Sequence, residues 1–262
     1  MLRELDSDHA EIIRRTIQFM KAHLDESLSL EDMAEEAGFS TFHFNRLFRK
    51  VTGIPPRLFL SALRMEKAKE LLLMTDADVT EIAMSVGYSS FGSFSTRFSR
   101  SVGVSPHLFR KCYQQGLKAI AAFKETTEPD RSMNHPPAIK GKLAKPESFD
   151  GVIFVGLFPK PIPNVRPVCG TVLKSSSHYH FDKVPDDGIY YVMAAAFRWS
   201  DSKRTLLLPR DSLRGMADGP VFINRGIPRG YMDVTLREAD LTDPPILISL
   251  PILLAERLNA AN

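Results

Sequence analysis

The sequence has little cysteine, a single tryptophan and no long apolar run. Its two cysteines, Cys112 and Cys169, lie in different halves of the 262 residues, so we expect no disulfide framework and a reducing, cytoplasmic location. No apolar stretch reaches the ~18–20 residues of a membrane span, which predicts no contact with a membrane. The first residues mix both signs of charge without an apolar signal core, which argues against secretion.

Motifs of catalysis are also missing. The sequence contains no G-x-S-x-G, H-E-x-x-H or P-loop motif, so we expect no enzyme activity, no catalytic residue, no cofactor and no metal. Cys169, His178 and His180 are a weak alternative. An H-x-H pair on a strand places both imidazoles on one face, but the three residues lack the tight spacing of a metal motif. Trp199 is expected to pack in a core or to stack on a ligand.

The formal net charge of +3 conceals an uneven distribution. No Asp or Glu occurs between Glu36 and Glu66, or between Glu81 and Glu125, whereas Arg and Lys recur in both stretches. Cations clustered on one face are the footprint of a phosphate-backbone partner. A solvated surface is the plainer alternative.

Both acid-free stretches carry the same pattern. The first copy is "GFSTFHFNRLFRKVTGIPP" at 38–56, and the second is "GYSSFGSFSTRFSRSVGVSP" at 87–106. A short helical pattern precedes each copy, and a glycine separates it from the next helix. This order of helix, turn with Gly and helix predicts two helix-turn-helix units. Residues 57–73 predict one long helix that connects them.

Capping signals mark where these helices begin. Asp8 with Glu11, Ser29 with Asp32, and Asp78 with Glu81 each have the spacing of a capping box. We therefore expect helices to start at these three places.

The helix predicted at 41–51 has two chemically different sides. At 100° per residue, an apolar row points inward and a mixed row points outward. The inward row is Phe44, Leu47, Phe48 and Val51, and the outward row is Phe42, Asn45, Arg46 and Arg49. Arg can bond guanine bidentately, Asn can bond adenine, and an aromatic ring can touch a thymine methyl group. The outward row therefore predicts contact with nucleic acid.

The second copy, "EIAMSVGYSS…FSTRFSRSVGVSPHLFR", resembles the signature of the AraC/XylS transcription regulators, and the resemblance extends over roughly residues 9–113. It implies a monomeric all-α module of two tandem, homeodomain-like helix-turn-helix units. Such a module binds double-stranded DNA at successive major-groove segments about 34 Å apart on one side of the duplex. The family role of the reading helices falls on residues 41–50 and 90–100. The resemblance also implies gene activation through contact with RNA polymerase.

We expect the two reading helices to act unequally. The family commonly has a long polar or basic side chain where this sequence has Thr96, so the first unit is predicted to supply most base discrimination and the second to position the protein on phosphates. The predicted base contacts are Phe42, Asn45, Arg46, Arg49, Gly92, Ser95 and Thr96. The predicted backbone contacts are Ser40, Lys50, Arg57, Ser89, Ser90, Arg97 and Arg100.

The second half of the chain changes character. Residues 115–150 are rich in Pro, Ser, Lys and Glu and are predicted to be a linker after the helical domain at 1–114. Six short β patterns follow, at 151–158, 168–173, 177–182, 188–197, 219–223 and 231–237. They predict an all-β sandwich over 151–262. The piece "FDKVPDDGIYYVMAAA" resembles transthyretin-like or carboxypeptidase-regulatory sandwich domains, which implies a binding or structural module.

Two functions are consistent with these features. The first is a DNA-binding transcription regulator whose C-terminal domain senses a small-molecule effector, forms a homodimer or contacts another protein. The alternative is a ligand- or protein-binding β-sandwich adaptor whose helical domain binds DNA mainly non-specifically. The apolar tail "DPPILISLPILLAERLNAAN" is expected to form an edge strand and a helix over the sandwich, or to be a dimer contact.

Overall fold

The computed structural model describes residues 2–126, 139–174 and 176–260. The chain divides into two compact units. The helical unit comprises residues 1–110 and 240–247, and the β unit comprises residues 111–239 and 248–262. None of the helices in the described part of the chain combines the length and apolar character that a membrane span needs.

The helical unit contains the two predicted helix-turn-helix units. Its helices are α1 (Leu2–Ala22), α2 (Leu30–Glu36), α3 (Thr41–Thr52), α4 (Pro56–Met74), α5 (Val79–Ser85), α6 (Phe91–Val102) and the first turn of α7 (Pro106–Glu125). Reciprocal capping boxes begin α2 at Ser29 and α5 at Asp78, as expected. The predicted start at Asp8 is wrong, because α1 already begins at Leu2 and Asp8 lies inside it.

The sequence repeat is also a repeat of the core. In the first half, Phe48 packs edge-on against Phe44 and Phe59, with ring centroids 5.5 and 5.4 Å apart. In the second half Phe98 lies between Phe94 and Phe109, with ring centroids 5.6 and 5.8 Å apart; it is tilted against Phe94 and edge-on against Phe109. All six rings are fully buried. The second helix of each helix-turn-helix unit is therefore supported by an aromatic cluster of its own.

Residues 240–247 come from far along the chain, yet they belong to the helical unit, and we call them the C-terminal strap. At one end Asp240 forms an ion pair with Arg14 at 3.2 Å. Further along, Pro245, Ile246 and Leu247 are buried. The fully buried Lys69 donates to the carbonyl of Ile246 at 3.5 Å. The expected edge strand in this tail is wrong, because the strap is irregular and is packed in the helical unit.

The β unit contains two sheets and three helical segments, counted over its described residues. Its strands are β1 (Ile139–Ala144), β2 (Gly151–Phe158), β3 (Cys169–Leu173), β4 (His178–Phe181), β5 (Gly188–Arg198), β6 (Leu213–Met216), β7 (Val221–Asn224), β8 (Ile227–Gly230) and β9 (Val234–Thr235). The smaller sheet has the order β4-β1-β9. The larger has the order β3-β2-β5-β7-β8, and β6 also pairs with β5. Besides the rest of α7, the unit has α8 (Lys203–Leu207) and α9 (Leu250–Ala260).

Both sheets contribute to one hydrophobic core, as in a sandwich. Ile139 and Tyr179 come from the smaller sheet, and Val155, Val192 and Val221 from the larger. The β-rich second half is thus confirmed, and each of the six predicted strands overlaps an observed one. Three strands, β1, β6 and β8, were not predicted.

The predicted linker at 115–150 contains regular structure in two places. Helix α7 runs on to Glu125, and β1 occupies Ile139–Ala144. Residues 127–138 lie outside the described part of the chain. In β1 every second side chain is buried, a pattern hidden in the sequence because Gly141 occupies one inward position.

Candidate nucleic-acid interface

Helix α3 is the first candidate reading helix. Its N-cap is Ser40, whose hydroxyl accepts from the amide of His43 at 3.4 Å, and it ends at Gly53 in the left-handed conformation. Phe44, Leu47 and Phe48 face the core. The predicted outward row is exposed as expected: Phe42, Asn45, Arg46 and Arg49.

The polar side chains of this row are free to bind an external partner. Among the described residues, none forms a hydrogen bond or ion pair with the side chains of Asn45, Arg46 or Arg49. These three lie at helical positions i, i+1 and i+4, so they project from one side of α3. One amide and two guanidinium groups therefore stand in water beside each other, with donors suited to base edges and phosphate oxygens.

Phe42 is the apolar member of the row. Its side chain is 78% exposed, the largest exposed fraction among the large apolar side chains of the described residues. Exposing an aromatic ring forfeits burial free energy of ~2–3 kcal/mol. A ring in such a position has the chemistry of a contact residue, because a partner that covers it recovers that free energy.

A ring cluster that the sequence analysis missed supports the start of α3. The rings of Phe39 and His43 lie 4.6 Å apart, and His9 on α1 contacts both, at 6.3 and 6.4 Å. The cluster fixes the turn that leads into the outward row. The spacing of Phe39 and His43 by four residues was its only sequence signal, and the partner on α1 is not local.

Helix α6, the second candidate reading helix, presents different chemistry. Its N-cap is Ser90. Gly92, Thr96, Arg97 and Arg100 are exposed and Ser95 is half-buried, so no long side chain stands at the positions that correspond to the outward row of α3. Helical spacing places Phe91 on the same side of α6 as the buried Phe94 and Phe98, yet it is 46% exposed at the first turn. The second helix thus offers small side chains, one exposed ring and two flanking guanidinium groups.

The predicted backbone contacts are all exposed. Ser40, Lys50 and Arg57 lie around α3, and Ser89, Ser90, Arg97 and Arg100 lie around α6. The hydroxyl of Ser90 also caps α6, accepting from the amide of Ser93 at 3.4 Å.

Two cations of the acid-free stretches have structural roles. Arg64 donates to the carbonyls of Leu24 and Glu26 at 2.9 and 2.5 Å. Arg110 donates to those of Leu72 and Ala77 at 3.2 and 2.8 Å. The charge pattern alone therefore overestimated the number of side chains available to phosphates.

The residues considered for other chemistry have ordinary surroundings. The Cys169 thiol donates to the carbonyl of Lys183 at 3.4 Å, and partial burial raises the pKa of this thiol. His180 lies 3.4 Å from Asp182. No group of three or more His, Cys, Asp or Glu residues in the described chain is arranged to hold a metal ion. The Lys124 ammonium lies 5.7 Å over the ring of Trp199.

Comparison with known proteins agrees with this geometry. A family model described as a helix-turn-helix domain matches residues 33–111, which include α3 and α6. The Transposon Tn10 TetD protein of Escherichia coli is 35% identical over 43% of this chain and 81% of its own length. The HTH-type transcriptional activator AarP of Providencia stuartii is 33% identical over 38% of this chain and 73% of its own length.

A longer relative matches in part. The transcriptional regulator Rob of Salmonella typhimurium is 33% identical over 47% of this chain, and the match spans 44% of Rob. The transthyretin-like resemblance of the β unit remains a prediction. On the matched helix-turn-helix region and on the extent of the TetD and AarP matches, the chain belongs to the AraC/XylS family of transcription regulators.

Proposed function

We propose that the chain is a sequence-specific DNA-binding regulator that reads two adjacent major-groove segments of double-stranded DNA. The observation that carries this proposal is the outward row of α3. It combines an exposed aromatic ring with an amide and two guanidinium groups that no other described residue engages. A merely solvated helix has no need to expose Phe42 to 78%.

Each side chain of α3 has a base edge that suits it. The guanidinium of Arg46 or Arg49 can donate to the N7 and O6 atoms of guanine, and the Asn45 amide can bond both N6 and N7 of adenine. The ring of Phe42 can cover the methyl group of thymine. Helix α3 is therefore assigned most of the base discrimination.

Helix α6 is assigned mainly a positioning role. Its outward residues Gly92, Ser95 and Thr96 are small, which allows the helix backbone to approach the floor of the groove. Arg97 and Arg100 flank them and are assigned to phosphates, which fix register without reading sequence.

The regulatory outcome is assigned by similarity. AarP is named as a transcriptional activator, and this favours activation, with RNA polymerase as the protein contacted. For the β unit we retain the prediction that it senses an effector, forms a homodimer or contacts a protein. An exposed apolar cluster on β5, β7 and β8 favours protein contact.

The proposal is tested by selecting bound duplexes from a random pool with the full-length protein and then measuring binding to variants of the selected site. Arg46→Ala is expected to lose ~1–3 kcal/mol of discrimination at one base pair, and Thr96→Ala much less. If Thr96→Ala relaxes base preference more than Arg46→Ala does, the assignment of the two helices is wrong. If no sequence is enriched, the adaptor with non-specific DNA binding is the better description.

The positioning role of α6 has its own test. Arg97→Ala is expected to weaken binding to all duplexes equally and to reduce the slope of log affinity against log salt by about 1, because one phosphate contact is lost. Arg15→Ala, which removes an exposed cation from α1, is the matched control and should leave the slope unchanged. Base-specific loss in Arg97→Ala would contradict the phosphate assignment.

A further inference from the structure

One end of the larger sheet exposes apolar side chains on one face. In the ladder of β5, β7 and β8, Ile189 pairs with Phe222, and Phe222 pairs with Arg229. Ile189, Phe222 and Ile227 are 53%, 49% and 56% exposed. The alternate residues Tyr190, Val221 and Ile223 are in the core of the β unit. We call the exposed side the β5–β7–β8 face.

The loop that shapes this face is fixed in place. Arg225 and Gly226 join β7 to β8 with φ angles of 52° and 72°, as in a tight two-residue hairpin turn. The Asp187 carboxylate accepts from the amides of Arg225 and Gly226 at 2.8 and 3.2 Å. These bonds lower the pKa of Asp187. The turn is thus held before any partner arrives, which reduces the entropic cost of binding.

Cations border the apolar residues. A cleft of about 410 Å³ is lined by Phe222, Asn224, Arg225, Ile227 and Arg229. Neither guanidinium is hydrogen-bonded to, or ion-paired with, another of the described residues. Residues 219–232 contain no Asp or Glu. The face therefore has two guanidinium groups without an anionic partner in the described part of the chain, beside apolar side chains that remain exposed to water.

The edge of the sheet is a poorer binding surface than this face. Strand β8 is the last strand of the ladder and contains Pro228, which has no amide to donate to a further strand. A partner strand cannot extend the sheet regularly along β8. A partner would therefore be recognised through contacts with the side chains of the face.

We propose that the β5–β7–β8 face docks an acidic segment of another protein. Carboxylates of the segment pair with Arg225 and Arg229, and its aromatic or aliphatic side chains cover Phe222 and Ile227. A second copy of this face would bring guanidinium groups against each other. A nucleic-acid backbone would pair with the arginines but would leave the exposed apolar residues Phe222 and Ile227 uncovered.

The test uses the full-length protein and a displayed pool of random 12-residue peptides. Peptides selected on the protein are counter-selected on Phe222→Ser, which removes an exposed ring. We expect enriched peptides that place Asp or Glu next to Phe, Leu or Trp. A labelled enriched peptide should bind Arg225→Glu and Arg229→Glu at least about tenfold more weakly, since each variant replaces a charge-assisted contact by repulsion. Lys160→Glu, at an exposed site outside the face, should bind it unchanged.

Three results would overturn the proposal. The first is a selected pool without acidic residues, or no enrichment over the Phe222→Ser background. The second is a dimer in sedimentation experiments that Phe222→Ser abolishes, which would make a second copy the occupant. The third is loss of duplex affinity in Arg229→Glu, which would make the face part of a DNA surface. Circular dichroism of each variant verifies that the β unit remains folded.

Discussion

Phe42 can distinguish a helix that contacts DNA bases from one that only faces solvent. If its 78% exposed ring covers a thymine methyl in the selected duplex, replacing that thymine by uracil removes one buried methyl group, worth about 0.8 kcal/mol. We expect the full-length protein to bind the uracil duplex roughly fourfold more weakly, as measured by fluorescence anisotropy. Phe42→Ala should bind both duplexes equally. If Phe42→Ala also binds the uracil duplex roughly fourfold more weakly than the thymine duplex, another side chain covers the methyl group.

Gly38 and Gly87 end equivalent helices but differ in their surroundings. Both have left-handed backbone, with φ of 70° and 79°. A Cβ on Gly38 would meet no atom within 4 Å, whereas one on Gly87 would lie 2.5 Å from the Leu24 carbonyl oxygen and 2.8 Å from the Arg64 guanidinium. We expect Gly38→Ala to cost about 1–2 kcal/mol of unfolding free energy from backbone strain alone.

Gly87→Ala should cost clearly more than Gly38→Ala. The new methyl group must displace a backbone carbonyl and the guanidinium that bonds to it. Urea unfolding of the two variants in parallel measures the difference. Equal costs would show that the turn around Leu24 yields without penalty.

Electrostatic interactions and hydrogen bonds hold the start of the C-terminal strap. The Asp240 carboxylate accepts from the amide and hydroxyl of Thr242 at 2.9 and 2.7 Å and from Arg14 at 3.2 Å. These interactions, the Thr242 bonds first, lower the pKa of Asp240 to about 2. The stabilisation is therefore complete above the ordinary carboxyl pKa of about 4 and is lost as the pH falls toward 2.

Asp240→Asn is expected to unfold with a weaker pH dependence between about pH 4 and 2 than the parent protein. At pH 7 it should lose less than about 1 kcal/mol, because the ion pair is partly exposed. Thermal unfolding across pH 2–7 measures both effects. Asp76→Asn, at an exposed carboxylate of the same unit, is the matched control at pH 7 and should leave the stability there unchanged. If the stability of Asp240→Asn changes with pH in parallel with that of the parent protein between pH 4 and 2, this carboxylate does not have the proposed role.

Elements governed by local chemistry were predictable, and elements governed by packing were not. The caps at Ser29 and Asp78 are set by residues three positions apart and follow loops, so the sequence indicates them. Asp8 and Glu11 have the same spacing but lie inside α1, where no loop precedes them. In contrast, β8 reads as Ile-Pro-Arg-Gly and has neither alternation nor β-branched residues beyond Ile227. It is a strand because it pairs with β7. Phe91 is exposed for a related reason. Helical spacing places it among the buried residues of α6, but it is the first residue of that helix and lies beyond the packed core.

Because of the strap, the order of residues along the chain is a poor guide to which unit a residue belongs to. The chain leaves the β unit after Ala239, passes through the helical unit, and returns at Ile248. Arg14 and Asp240 are 226 residues apart, and no periodicity or composition connects them. The predicted domain 1–114 covers the contiguous part of the helical unit but not residues 240–247, which also belong to it.

This topology predicts that the helical unit depends on residues outside its contiguous part. Leu247 is 2% exposed, so Leu247→Ala should cost the helical unit about 2–5 kcal/mol. Hydrogen exchange of the full-length protein should show faster exchange in α1 and α4. Leu254→Ala, equally buried in the β unit, should instead accelerate exchange in the β unit.

A fragment that consists of residues 1–116 alone should show the same dependence. Without the strap, the fragment loses the buried side chains of Ile246 and Leu247 and the partners of Arg14 and Lys69 that the strap supplies. It should therefore melt at a lower temperature than the helical unit of the full-length protein, and a duplex carrying the selected site should raise its melting temperature by mass action. A fragment as stable as the helical unit in the intact chain, together with unchanged exchange in Leu247→Ala, would show that the strap lies on the helical unit without stabilising it.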